Sequence, residues 1–347
     1  MTNLRNKNNK SIESTRGEKM KKTLSIVMAL MMIMALAACQ TAAGSNSPAG
    51  ETPASDYGSP SPSAGTSNSP ASGGAESSDG VSPSPAQQAP VNNASITVIS
   101  RENGSGTRGA FTELFGVLDE NKVDNTADSA EITNSTSVMM TSVAGDPNAI
   151  GYISLGSLNS TVKAAKIDGA DASVANIKNG SYGISRPFNI AVKEGLSGLA
   201  QDFVDYIMSV EGQDVIENNG YIRMDDTGAF GGTKPYGKIV VSGSSSVSPV
   251  MEKLIEAYQA VNSGAEIELQ TSDSSTGMKN AADGVCDIGM ASRDLKDSEI
   301  EGGLQGITIA TDGIAVIVNN DSSIENLTKD QVRQIFTAEI TKWAELN

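Results

Sequence analysis

Ser100 to Thr107, SRENGSGT, carries residue types that suit the capture of an anion. A short apolar strand, Ile96 to Ile99, runs into it. Beyond it Phe111, Leu114, Phe115 and Leu118 fall at i, i+3, i+4 and i+7, so the glycine turn is expected at a helix N-terminus, where free N–H groups point at negative charge. Gly104 and Gly106 let the backbone turn tightly and approach a ligand. Ser105 and Thr107 add hydroxyl donors, and Arg101 adds a planar fork suited to two-point contact with an oxyanion. A lone Gly/Ser stretch reads more simply as a surface turn. Two further stretches of the same design tip the balance toward an anion cradle.

The second runs from a strand at Lys238 to Val241 into Gly243 to Ser248, GSSSVS, with Pro249 where a first helical position tolerates it. Met251, Leu254, Ile255 and Tyr258 give the helix that follows its apolar face. Ser245, Ser246 and the Val247 amide are the candidate donors. An ordinary serine N-cap accounts for one of these serines but not for three. The third follows a strand at Glu266 to Gln270: Ser272 to Gly277, SDSSTG, leads into a short helix from Met278. Cys286 to Met290, CDIGM, is a buried strand that ends at Ala291-Ser292-Arg293-Asp294. Ser274 and Ser292 therefore stand at strand ends, where α/β sheets bind ligands.

The elements that must position these cradles are less sharply written. After the first helix come an acidic linker and Asn134 to Val143, a polar turn opening a short helix. Ala149 to Leu155 is a buried strand, Val162 to Ile177 alternates with moderate regularity, and Tyr182 to Val192 is a strand entered through Pro187. Leu199, Phe203, Val204 and Ile207 mark a helix that ends near Gly212 or breaks there and resumes to Asn219. Asp225 to Gly237 is a Gly-rich linker without periodicity. Ile307 to Ala310 and Ile314 to Val318 flank Thr311-Asp312-Gly313 as a strand pair or one long bent strand, and Gln331 to Phe336 is a final helix. Strands alternating with helices give an α/β class. Three cradles in two regions separated by a linker fit a two-lobed clamp with ligand between the lobes.

Composition narrows the partner. The 347 residues carry a net charge of −16 and no histidine. Such acidity argues against nucleic acid, whose phosphates demand a basic face. Without histidine there is no Ser-His-Asp or Cys-His catalysis, and a zinc site is disfavoured. No enzyme activity, cofactor or metal is expected. At the N-terminus, Lys21 and Lys22, the apolar run Leu24 to Leu36 and Leu36-Ala37-Ala38-Cys39 read as a secretory signal over residues 1–39. Translation from Met20 would fit it equally well. Residues 40–94, rich in Ser, Pro and Gly, read as a disordered tether. Cys286, the only other cysteine, is expected as a small buried side chain.

Several stretches together resemble a known family. GSSSVSPVMEKLIEAY, CDIGMASRDL, IATDGIAVIVN, IFTAEITKWAEL, ISRENGSGTRGAF, AIGYISLGSL and SRPFNIAV are similar to successive segments of the phosphate-binding lipoproteins of bacterial phosphate ABC importers, a type 2 periplasmic-binding-protein fold. The resemblance spans Ser95 to Asn347. It implies a lipobox with a lipid on Cys39, a place on the extracytoplasmic face of the cell membrane, capture of inorganic phosphate, and delivery to the permease subunits of an importer. Carried over motif by motif, it also implies ligand contacts from Arg101, Ser105, Gly106, Thr107, Ser246, the Val247 amide, Ser274 and Ser292.

Two departures bear on selectivity. Many members of the family carry an acidic residue where Asn103 stands, and some carry an aspartate where Ser292 stands. A carboxylate acceptor tells a protonated oxyanion from sulfate, and Asp312 and Glu102 are candidates to replace it, a plain turn aspartate being an equal reading of Asp312. Another oxyanion, sulfate or molybdate, is the alternative ligand, and a surface sensor or scaffold the alternative role.

The segment order differs from the family's, in which the GSSSV segment opens the mature protein and SRP comes late. The chain reads as a circular permutant in which residues 225–237 join the family's usual ends. One lobe is then expected over 182–319 and the other over 95–181 plus 320–347.

Overall fold

The computed structural model describes residues 93–226 and 228–346. The secretory signal, Cys39 and the tether up to residue 92 lie outside the described residues. From the N-terminal side the elements are β1 (Thr97–Arg101), α1 (Gly106–Leu114), β2 (Glu131–Thr133), α2 (Thr136–Gly145), β3 (Ala149–Ser154), β4 (Lys163–Ala164), β5 (Lys166–Ile167), α3 (Val174–Lys178), β6 (Ser185–Lys193), α4 (Gly198–Met208) and α5 (Val210–Asn218). After them come β7 (Ile222–Arg223), β8 (Gly237–Ser244), α6 (Ser248–Val261), β9 (Ala265–Ser272), α7 (Ser274–Asp283), β10 (Ile288–Ala291), α8 (Asp297–Glu301), β11 (Leu304–Val318), β12 (Asn326–Leu327) and α9 (Lys329–Phe336).

The main sheet runs β2-β1-β3-β11-β6-β10-β8-β9, with β4 and β7 attached to β11. Its two flanks are parallel, β1 beside β2 and β3, and β8 beside β9 and β10. Between them β11 pairs antiparallel with β3 and with β6. Parallel strands covered on both faces need apolar residues throughout, and every residue of β3, AIGYIS, is buried. The 15-residue β11 resolves the choice left open at Ile307 to Val318: it is one strand with a bulge between Thr308 and Ala310.

Two large hydrophobic clusters divide the fold. One gathers Phe188, Phe203, Tyr258, Leu254, Val241 and Ile288 from β6, α4, α6, β8 and β10. The other gathers Phe111, Tyr152, Phe336 and Trp343, with the Phe111 and Tyr152 rings stacked 3.9 Å apart. Tyr182, Ile184, Ile314, Val316 and Val318 pack in this second cluster. The chain therefore crosses between clusters near Ser185 and near Gly313, inside the 182–319 span expected as one lobe. The difference arises because β11 is continuous. Its first part pairs with β6, and from Ile314 onward it pairs with β3.

The expected helix break comes at Ser209, which closes α4 and caps α5 by accepting from the Gly212 N–H at 3.3 Å. β2 lies inside what reads from sequence as a linker. The chain after Asp225 lacks regular structure but is firmly docked. Phe230 packs on Tyr206 and Tyr258, the Thr233 N–H donates to Asp202 at 2.7 Å, and Asn262 donates to the Pro235 carbonyl at 2.9 Å. The two ends of the described chain meet. The Ile96 N–H donates to Thr341 at 2.8 Å, and the Trp343 N–H donates to Ala94 at 3.2 Å. Among the described residues no helix is long and apolar enough to cross a membrane.

Candidate functional site

Four strands end at one place, and each hands over to a helix. β1 leads to α1, β8 to α6 and β9 to α7, as the three cradles imply. β2 leads to α2 as a fourth. Such helix starts leave backbone donors and a positive dipole end facing the same region. Ser105 caps α1 by accepting from the Arg108 N–H at 3.3 Å, and Ser135 caps α2 by accepting from Val138 at 3.2 Å. In α7 the cap is Asp273, which accepts from Thr276 at 2.9 Å and leaves the Ser274 hydroxyl free to face inward.

The hydroxyls meet across the two clusters. Thr107 Oγ1 and Ser246 Oγ are 2.7 Å apart, and Thr136 Oγ1 is 3.2 Å from Ser246 Oγ. Ser244 donates to Ser292 Oγ at 3.0 Å, Ser274 Oγ lies 3.4 Å from the same atom, and the Ser292 N–H donates to Ser274 at 3.1 Å. Arg101 reaches Ser245 Oγ with Nη2 at 3.1 Å. All of these side chains are buried. Gly106 closes the arrangement. A Cβ there would sit 2.4 Å from Ser274 Oγ and 2.8 Å from Ser292 Oγ, so only glycine lets α1 come this close. The expected role of this glycine thus takes a different form: close approach across the cleft rather than an unusual backbone angle. A second tie is the Gly104 carbonyl, which accepts from the Ser275 N–H and hydroxyl at 3.2 Å each.

The formal charges around these hydroxyls cancel. Arg101 donates from Nε and Nη2 to both oxygens of Glu102, at 2.8 and 2.7 Å. A second buried arginine, Arg186, donates to Asp312 Oδ2 at 3.2 Å and to the Ser292 carbonyl at 3.1 Å. Burial, the strongest influence on it, pushes the Asp312 carboxyl above the usual carboxylate range against the opposing pull of Arg186. Burial likewise draws Arg186 below its ordinary value, with Asp312 opposing, but a guanidinium stays protonated in proteins and the pair is ionic. Two cations face two carboxylates, so an incoming anion is met chiefly by oriented N–H groups, hydroxyls and helix dipoles. Of the neighbouring carboxylates, Glu102 and Asp312 are both held by arginines.

The structure thus gathers Arg101, Gly106, Thr107, Ser245, Ser246, Ser274 and Ser292. Ser105 sits beside them with its oxygen engaged in the cap. Val247 is buried and its N–H donates to Ser244 at 3.0 Å, closing the turn that aims Ser245 and Ser246. Asp312 stands behind the hydroxyls, bonded to Arg186 and to the Gly156 N–H at 3.3 Å. Sequence reasoning missed Thr136, Ser244 and Arg186. Asn134-Ser135-Thr136-Ser137 carried an N-cap signal for Thr136, and Ser244 lay inside a motif already singled out. For Arg186 the signal was an arginine inside an apolar strand pattern. Tyr152 was also missed. Its hydroxyl accepts from the Arg101 N–H at 3.2 Å and lies 2.8 Å from Ser100 Oγ, and burial pushes its pKa up to about 12.

Comparison with known proteins agrees with this architecture. A family model described as a PBP superfamily domain matches residues 84–211 and 228–347. The chain is 56% identical over 257 residues to the phosphate-binding protein PstS 2 of Streptococcus agalactiae, an alignment covering 73% of this chain and 88% of that protein. PstS of Bacillus subtilis matches at 31% over 128 residues, 36% of this chain and 42% of that one. A crystal structure of the phosphate-binding protein of a phosphate ABC transporter from Streptococcus pneumoniae superposes with a TM-score of 0.59 at 44% identity, covering 73% of this chain and all of that one. With its α/β sheet, its converging helix N-termini and this extent of identity, the chain belongs to the PBP superfamily and, within it, to the PstS phosphate-binding proteins.

Proposed function

We propose that this protein binds inorganic phosphate outside the cytoplasm and delivers it to the permease of an ABC importer. The observation that carries the reading is the buried meeting of Arg101, Thr107, Thr136, Ser246, Ser274 and Ser292 at four helix N-termini. A dehydrated tetrahedral oxyanion needs donors from several directions and little net charge opposite it, and this cluster offers both. The role is capture rather than catalysis. A lipid on Cys39 is part of the proposal, resting on the Leu36-Ala37-Ala38-Cys39 motif.

A circularly permuted order is also part of it. Three observations support that reading. The described ends hydrogen-bond to one another, so the fold tolerates a break there. The segment after Asp225 is docked on α4 and α6 as a join between two elements of the same cluster. The Bacillus subtilis relative aligns over only about half as many residues as the streptococcal one.

Titration calorimetry of the purified protein with phosphate, with sulfate as competitor, tests the function. Phosphate binding that sulfate does not displace is the expected result. A folded protein that binds neither anion would overturn the reading, and binding of sulfate alone would favour a different oxyanion.

A further inference from the structure

Arg186 and Asp312 form an ion pair with side chains 2% and 1% exposed, joining strands 126 residues apart. A buried ion pair is a poor source of stability, since apolar residues of like volume serve as well or better. This one is also incompletely satisfied. Around it Arg186 Nε, Ser154 Oγ, Ser157 Oγ and Tyr221 Oη make no hydrogen bond of good geometry, although Ser154 lies against Asp312 and Tyr221, and Ser157 against Tyr221. They are near neighbours. Gly156, between the two serines, donates to Asp312, and Tyr221 Oη would lie 2.6 Å from a Cβ on Gly156. The pair does have one neighbour of functional weight. Arg186 Nη1 grips the carbonyl of Ser292, whose hydroxyl is shared by Ser244 and Ser274.

We propose that Arg186 is a positioning residue of the anion site: it fixes the Ser292 peptide from behind, while Asp312 holds the guanidinium in the orientation that does so. The proposal rests on the phosphate-binding reading above. Arg186 sits opposite Asp312 in the pairing of β6 with β11, just before β11 passes on to β3. It therefore couples the place of Ser292 to the crossing between the two hydrophobic clusters. A lysine there could reach one of its two acceptors but has no fork to hold both.

The test compares the unaltered protein with Arg186→Met, Arg186→Lys and the double variant Arg186→Met/Asp312→Asn, by phosphate titration and thermal unfolding. Arg186→Met alone strands a buried carboxylate and is expected to melt at lower temperature. The double variant removes both charges and is expected to regain most of the melting temperature yet bind phosphate at least tenfold more weakly. Arg186→Lys is expected to bind three- to tenfold more weakly. Binding by the double variant within twofold of the unaltered protein would overturn the proposal. Should the double variant not fold, unchanged binding by Arg186→Lys would do the same. If the unaltered protein binds no phosphate, the functional reading falls and this inference with it. Normal binding by both the unaltered protein and the double variant overturns the inference alone.

Discussion

Arg101 and Arg186 are both buried in the hydroxyl cluster, Arg101 on Ser245 and Arg186 on the Ser292 carbonyl, and each is matched by one carboxylate, but the two pairs are built differently. Arg101 pairs with its own neighbour in sequence, Glu102, whose side chain is 22% exposed. Arg186 pairs with Asp312 across 126 residues with no access to water. In the first, loss of the arginine lets the carboxylate rehydrate. In the second it leaves a charge in the interior. Similar contacts thus differ in what they hold: the partner of Arg101 reaches solvent, whereas the partner of Arg186 does not.

The contrast can be broken or sharpened by substitution. The largest effect is expected for Arg186→Met, which should cost about 3–5 kcal/mol of stability by uncovering Asp312. Arg101→Met should cost clearly less than Arg186→Met, since Glu102 is partly exposed and can rehydrate. Equal losses in urea unfolding would erase the distinction. For phosphate affinity the ranking turns to Arg101. Arg101→Ala should weaken binding by about 10- to 100-fold, the loss of a charge-assisted bond, as read by calorimetry. Tyr152→Phe removes the acceptor of the Arg101 N–H and should cost about 1–3 kcal/mol in unfolding experiments, because a buried donor is left unpaired. Thr136→Val tests the site residue that sequence reasoning overlooked, with an expected affinity loss of about 0.5–1.5 kcal/mol. The smallest effect concerns Cys286, which is buried and whose thiol burial pushes up to about 11. It should not react with a disulfide reagent at pH 8 until the protein unfolds.

Much of the site was legible because its parts are local. A strand, a turn of small polar residues and an apolar helical stripe follow one another within about 20 residues around Arg101, Ser246 and Ser274, and periodicity reads such a unit directly. Thr136 was harder. The strand before it, Glu131–Thr133, has two exposed residues of three and carries no apolar run. Arg186 and Asp312 lay beyond local reading, because their pairing depends on the register of β6 against β11. The expected lobe bounds turn on the same kind of information. Sequence shows apolar runs on either side of Thr311-Asp312-Gly313, but whether they belong to one core or two is settled only by their strand partners.

The unbroken β11 has a mechanical meaning. Its hydrogen bonds to β6 and then to β3 make one ribbon through both cores, so any swing of one against the other must bend that ribbon near Gly313. Such a joint is a leaf spring and not a pin hinge. In such a joint resistance rises with angle, so the register of β11 against β6 and β3 favours return to the arrangement seen.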